Sequence, residues 1–157
     1  MRSLSKKTQY SLRALYALAR NYGRGPILIA QLAREESIPR KFLEVILLDL
    51  NQHGVVGSRK GKGGGYFLAR SPDKVTIGSV IRLIDGPIAP LPCASVTAYR
   101  KCDECVDETL CGTRMVMREV RDAMARILDV TTLADVCQRM DRARELSLGG
   151  DNLMYYI

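Results

Sequence analysis

Two adjoining stretches decide the fold: Pro39-Arg40-Lys41-Phe42-Leu43-Glu44-Val45-Ile46-Leu47-Leu48-Asp49-Leu50, and Val55-Val56-Gly57-Ser58-Arg59-Lys60-Gly61-Lys62-Gly63-Gly64-Gly65-Tyr66-Phe67-Leu68. In the first, Phe42, Leu43, Ile46, Leu47 and Leu50 recur at helical spacing, which predicts a helix with those side chains inward and an end near Gly54. Pro39 suits its first position, where a missing N–H costs no intrahelical bond. In the second, the β-branched start and Tyr66-Phe67-Leu68 predict a two-stranded hairpin. Its tip, residues 59–65, is rich in glycine and carries three positive charges. Glycine lets a backbone approach a ligand closely, and Arg or Lys on such a tip can enter a DNA minor groove. A phosphate-binding loop is excluded, because the Gly-Lys-Ser/Thr ending is absent and a strand follows rather than a helix.

Upstream, Ser5 is a candidate N-cap for a first helix. Its apolar residues Tyr10, Leu12, Ala14, Leu15, Leu18 and Ala19 run to Asn21-Tyr22-Gly23. Residues 27–36 predict a short second helix with Ile29, Leu32 and Ala33 on one side, and Ser37-Ile38-Pro39 is a turn. Helix, short helix, tight turn and helix make a helix-turn-helix. With Arg40 and Lys41 at the start of its third helix and a basic hairpin behind, it is a winged one. Downstream, Thr76 can cap a further helix carrying Val80, Ile81, Leu83 and Ile84. No period is legible from Asp85 to about Gly112, a length of loop that marks function or disorder. A helical stripe returns in Val116, Val120, Ala123, Met124 and Ile127, long enough to pack against its copy in a second chain. A last helix over about 132–146 aligns Leu133, Val136, Cys137 and Met140.

The expected class is therefore mainly α with a small β-hairpin wing: a winged helix-turn-helix domain plus a long dimerisation helix. Residues 1–85 form the DNA-binding domain, 86–112 a cysteine-rich loop, 113–146 the dimerisation and C-terminal helices, and 147–157 a tail.

At 157 residues with 46% hydrophobic and 26% charged side chains, the chain has the composition of one globular domain. No apolar run approaches the roughly 18 residues that a membrane span needs. Arg13 and Arg20 also interrupt the apolar start, which spoils a secretory signal peptide. Charge is divided unevenly: residues 1–74 carry a net +9 and residues 75–157 a net −2, with no acid before Glu35. A basic half joined to a mildly acidic one suggests that one end meets a polyanion.

Four of the five cysteines, Cys93, Cys102, Cys105 and Cys111, lie in the aperiodic segment with gaps of eight, two and five residues. In a cytosolic chain such a pattern favours metal binding over disulfides. Thiolates suit zinc, copper(I) and iron–sulfur clusters, and metal–ligand bonds offset the entropy of closing a long loop. Structural zinc sites usually show two close cysteine pairs, whereas only Cys102 and Cys105 make one here. A thiol switch without metal is a third possibility. Asp103, Glu104, Asp107 and Glu108 surround the pair as a solvated face. Cys137, on an apolar helical face, reads as core. With one histidine and no nucleophile–base pair, an acid–base enzyme is not expected.

These residues resemble the bacterial Rrf2 family of winged-helix transcription regulators, the group of IscR, NsrR, RirA and CymR. The resemblance runs over residues 4–136. It rests on Leu4-Ser5-Lys6 with Tyr10, Pro39-Arg40-Lys41-Phe42-Leu43-Glu44, Gly63-Gly64-Gly65-Tyr66-Phe67-Leu68-Ala69, Thr76-Ile77-Gly78 and Thr131-Thr132-Leu133-Ala134-Asp135. It implies a cytoplasmic homodimer whose long helices, from about residue 113 to 128, form the dimer core. It also implies that Lys41 and Glu44 lie in the major groove of a near-palindromic double-stranded operator, and that Arg59, Lys60 and Gly61 reach the minor groove. Lys62 on the same tip is a further candidate phosphate contact.

The resemblance further implies an iron–sulfur cluster, two-iron or four-iron, on three cysteines and one other ligand; Cys93, Cys105 and Cys111 match the three best. Where IscR has a histidine ligand this chain has Arg114, and where NsrR has an aspartate it has Gln9. Cys102 is extra, and either supplies the fourth ligand or leaves the coordination incomplete. The expected function is a repressor that senses iron, redox state, nitric oxide or cluster supply. The alternatives are a cluster-free regulator that uses a thiol switch or a protein partner, and a zinc-stabilised structural module.

Overall fold

The computed structural model describes residues 4–151 of the chain, with side chains to residue 147. Residues 1–3 of the expected DNA-binding domain and 152–157 of the expected tail lie outside the described residues. Six helices and one hairpin follow in the order α1 (Lys6–Arg20), α2 (Ile29–Glu35), α3 (Arg40–Gln52), β1 (Val56–Arg59), β2 (Gly65–Leu68), α4 (Ile77–Asp85), α5 (Gly112–Leu128) and α6 (Leu133–Asp151).

Local chemistry accounts for most of the boundaries. The Ser5 hydroxyl accepts from the Thr8 backbone N–H and caps α1, and Thr76 does the same for α4 through the Ser79 N–H. Thr132 and Asp135 cap α6 reciprocally: the Thr132 hydroxyl accepts from the Asp135 N–H at 3.1 Å, and the Asp135 carboxylate accepts from the Thr132 N–H at 2.8 Å. The Thr132 N–H and hydroxyl, both donating to it, hold the Asp135 carboxyl below its ordinary value.

One core joins these elements. Leu15, Leu18, Leu32, Leu43, Ile46, Leu47, Leu50, Val56, Val80 and Leu133 are almost wholly removed from water, each contributing roughly 1.5–3 kcal/mol by burial. Helices α1 to α4, the hairpin and the start of α6 thus supply the core, while no residue of α5 is fully buried.

The fold departs from expectation in five places. Ile27 is not helical; it bridges Tyr66, with Ile27 N to Tyr66 O at 2.8 Å and Tyr66 N to Ile27 O at 2.9 Å. Because the hairpin offers an open edge, this residue satisfies its backbone there and α2 begins two residues later. Gly65 allows that approach: its φ is +143°, and a Cβ there would strike the Ile27 backbone. Phe42, expected inward, is 40% exposed, its ring packed edge-on against Tyr10 at 5.6 Å. Pro39 precedes α3 as its N-cap rather than occupying its first turn. The long loop is not entirely irregular, since Pro92–Ala94 makes a 3-10 turn that buries Cys93. Finally, α6 continues to Asp151, past the expected end near residue 146.

Candidate DNA interface and cysteine loop

The turn between α2 and α3 is tight. Ile38 N bonds Ala33 O at 2.9 Å, Ile38 is buried, and Ser37 takes a positive φ of 51° to make the corner. This anchors the inner side of α3 and turns Arg40, Lys41, Glu44, Val45 and Leu48 to solvent. Arg40 Nε lies 3.3 Å from the Glu44 carboxylate one turn on. Such an exposed pair adds little stability, so both groups stay available to a ligand. Lys7 of α1 meets Asp49 at 2.6 Å and pins α3 from behind.

Strand β1 leaves α3 directly, and Asn51 reaches Ser58 Oγ at 3.5 Å. The two strands pair antiparallel, Val56 with Leu68 through Arg59 with Gly65, so Arg59 ends a strand and the tip proper is 60–64. Gly61 and Gly63 have φ of +88° and +76°, and Gly64 N closes the tip on Gly61 O at 3.0 Å. Glycine is required for that path. Arg59, Lys60, Gly61 and Lys62 are all exposed. All seven residues expected to meet DNA are thus open to solvent, on α3 and on the hairpin that follows it.

The cysteines are brought together only in part. Cys111 and Cys102 both lie close enough to the Cys105 thiol to act on it electrostatically, Cys111 the more strongly. Partial desolvation, and then these neighbouring thiols, push the Cys105 thiol above its ordinary value. Cys111 is the N-cap of α5, so one of the pair stands on a helix end. Cys93 is buried in its 3-10 turn. Among the described residues no group of three or more Cys, His, Asp or Glu side chains stands ready to hold a metal ion. In chemical type the four thiols fit a soft metal or an iron–sulfur group, and two of them already adjoin.

Two arginines, not foreseen as functional, strap this loop to α5. Arg114 Nε donates to Cys93 O at 3.0 Å and its Nη1 to Glu108 O at 3.3 Å, while its guanidinium lies 5.7 Å from the Tyr99 ring centre. Tyr99 in turn donates to the Glu108 carboxylate, which raises the phenol's pKa. Two turns further along the helix, Arg121 Nη1 donates to Ala94 O at 2.8 Å. Their seven-residue spacing places both on one face of α5, but nothing in the sequence marks the loop carbonyls they reach. At its other end, α5 is fastened to the core domain. Arg82 of α4 makes a bidentate pair with Asp129, Nη2 to Oδ2 being 2.9 Å. Ile77 N bonds Thr131 O and Leu133 N bonds Val75 O, both at 2.9 Å. Cys137 is half-buried beside the Tyr16 carbonyl, in accord with a packing role.

A helix-turn-helix whose third helix runs into a basic, glycine-tipped hairpin defines a winged-helix regulator of the DNA-binding class. Residues 4–139 match the Rrf2 family, described as "Iron-dependent Transcriptional regulator", and the chain belongs to that family. It is 42% identical over 146 residues to an rrf2-like HTH-type transcriptional regulator of Rhodobacter capsulatus, covering 91% of this chain and 97% of that protein. Among solved structures it is similar to CymR, the global cysteine regulator of B. subtilis, with a TM-score of 0.75 and 31% identity over 88% of this chain and 98% of that one. It is also similar to T. potens IscR, with a TM-score of 0.72 and 27% identity over 90% of each chain. These relatives are transcriptional regulators, not enzymes. Among the described residues no helix is long and apolar enough to cross a membrane.

Proposed function

We propose that the chain is a dimeric repressor of the bacterial cytoplasm whose operator affinity is set by an iron–sulfur cluster on the 86–112 loop. Residues 1–85 read DNA, 86–112 sense, and 113–146 dimerise. One observation carries this division: α5 joins the thiol pair at Cys111 to the core domain at Asp129. A change in the loop is then felt by the helix that spaces two reading heads. A coupling of about 1–3 kcal/mol is typical of such a device. The exposed apolar stripe of α5, with Met115, Val116 and Ile127 each about half or more in water, is the face offered to a second copy. Two-fold symmetry then calls for a near-palindromic operator with half-sites about one helical turn apart, or a multiple.

Cys105 and Cys111, with Cys102 and Cys93, would hold the cluster. Such a group, when bound, supplies one-electron redox chemistry and lability toward iron and nitric oxide. The protein's own part is to gather the thiols and to tie the loop's ends through Arg114 and Arg121. Lys41, with the Arg40–Glu44 pair, faces the major groove, and Arg59, Lys60, Gly61 and Lys62 face the minor groove and phosphates.

Anaerobic purification, a visible spectrum, and iron, sulfide and zinc assays on one sample test this. Brown protein with matched iron and sulfide is expected, and Cys105→Ala should abolish the chromophore. Full colour in that variant would refute the ligand assignment. A second reading is favoured by the closeness of Cys105 and Cys111 and by the similarity to CymR: a cluster-free regulator in which those thiols form a disulfide under oxidant. Colourless protein after reconstitution, with operator affinity that changes on oxidation and reverts on reduction, would establish it. One zinc per chain without iron would instead mark the loop as a structural zinc site.

A further inference from the structure

The outward face of α3 is not all charge. Val45 and Leu48 keep 59% and 58% of their surface in water, whereas Leu43, Ile46, Leu47 and Leu50 on the inner face keep at most 1%. The core is therefore complete without the two outer residues. Phe42, the other apolar side chain with open surface on this helix, already packs on Tyr10. Val45 and Leu48 stand one helical turn beyond Lys41 and Glu44 respectively, so they share the face expected in the major groove. Placing two large apolar groups there gains nothing in water.

The surroundings specify the occupant. Arg40 and Lys41 begin the helix, and Arg59, Lys60 and Lys62 are exposed on the hairpin that follows it. What covers this face must be a polyanion that also presents apolar groups. In the major groove that group is the thymine C5-methyl, the feature by which an A·T pair offers carbon to a side chain. We propose that Val45 and Leu48 are specificity-determining residues that pack on thymine methyls of the operator. This rests on the DNA-binding function, with α3 as the reading helix. Three residues of helix rise about 4.5 Å, against about 3.4 Å per base pair. The two methyls therefore fall on neighbouring or next-but-one base pairs of each half-site.

The test begins with the full-length chain, as purified and after iron–sulfide reconstitution, selecting sites from a random duplex library. Each thymine of the selected site is then replaced singly by deoxyuridine, which removes the methyl and nothing else. Two thymines per half-site should emerge at which the loss weakens binding about threefold to fivefold. Val45→Ala should erase the penalty at one of them and Leu48→Ala at the other, a double-mutant cycle between side chain and methyl. Both residues are exposed, so the substitutions leave the core intact, and the deoxyuridine series needs no variant at all. A specific, salt-sensitive complex indifferent to every deoxyuridine would overturn the inference while leaving the DNA-binding function standing. A penalty that survives both alanine variants would place the methyl contact elsewhere and overturn it too. Failure to retain any duplex in either preparation would bring down both together.

Discussion

Asp129 shows how one side chain can hold two parts of this molecule in register. Its carboxylate takes the Arg82 guanidinium across from α4, and Gly78 leaves the space: a Cβ there would meet that carboxylate and the Leu128 backbone. The hydrogen bond from Arg82 holds the Asp129 carboxyl below its ordinary value. A depressed carboxyl contributes stability that is present above its unfolded value of about 4 and lost as pH falls through the folded one. Both side chains keep more than a third of their surface in water, so the contribution is screened and small. Asp129→Asn should therefore lower stability by about 0.5–1 kcal/mol at neutral pH, and the gap to wild type should close in acid. Urea unfolding at pH 7 and again below the folded value checks both parts. A gap unchanged in acid would mean that the pair contributes nothing through its charge.

At the scale of elements, the wing and α3 are the most legible parts of the chain. Helical spacing of apolar residues and a glycine run between β-branched segments are local signals, and both elements form within a residue or two of where those signals put them. Ile27 and Phe42 depart from their local pattern for one shared reason. A partner far along the chain, the hairpin edge for one and Tyr10 for the other, takes each of them out of it. The wing's basic tip carries its own prediction. If Arg59 and Lys60 meet phosphate or the minor groove in both subunits, Arg59→Ala or Lys60→Ala should weaken binding to all duplexes. Each should also flatten the slope of log affinity against log salt by about one unit for every phosphate no longer neutralised. Titrations across a salt series measure this, and an unchanged slope would remove the tip from the interface.

For the whole molecule, α5 is the element that makes little sense in one chain. It runs for 17 residues with none fully buried, and Val116, Ile127 and Met115 lie open along it. A second copy would remove that surface from water. If α5 joins two copies as proposed, Val116→Glu or Ile127→Glu should convert the dimer into a folded monomer, because neither side chain belongs to the core of the winged-helix domain. Sedimentation should show the halved mass while far-ultraviolet dichroism keeps its helical shape, and operator affinity should fall at least tenfold as the two heads are uncoupled. A variant that stayed dimeric would move the interface elsewhere.

Sequence by itself determined the winged helix-turn-helix, because caps, apolar periods and glycine-rich turns act between neighbours in the chain, and residue type together with the family resemblance named its seven candidates for DNA contact. It likewise marked the cysteine loop by residue type and spacing. Tertiary structure alone decided which thiols adjoin, that Arg114 and Arg121 strap the loop to α5, that Asp129 ties α5 to α4, and that Phe42 turns outward onto Tyr10. The two arginine straps and the Asp129 tie join residues between 6 and 47 positions apart within a few ångströms. Such proximity is set by how the whole core closes, and no local pattern of side chains encodes it.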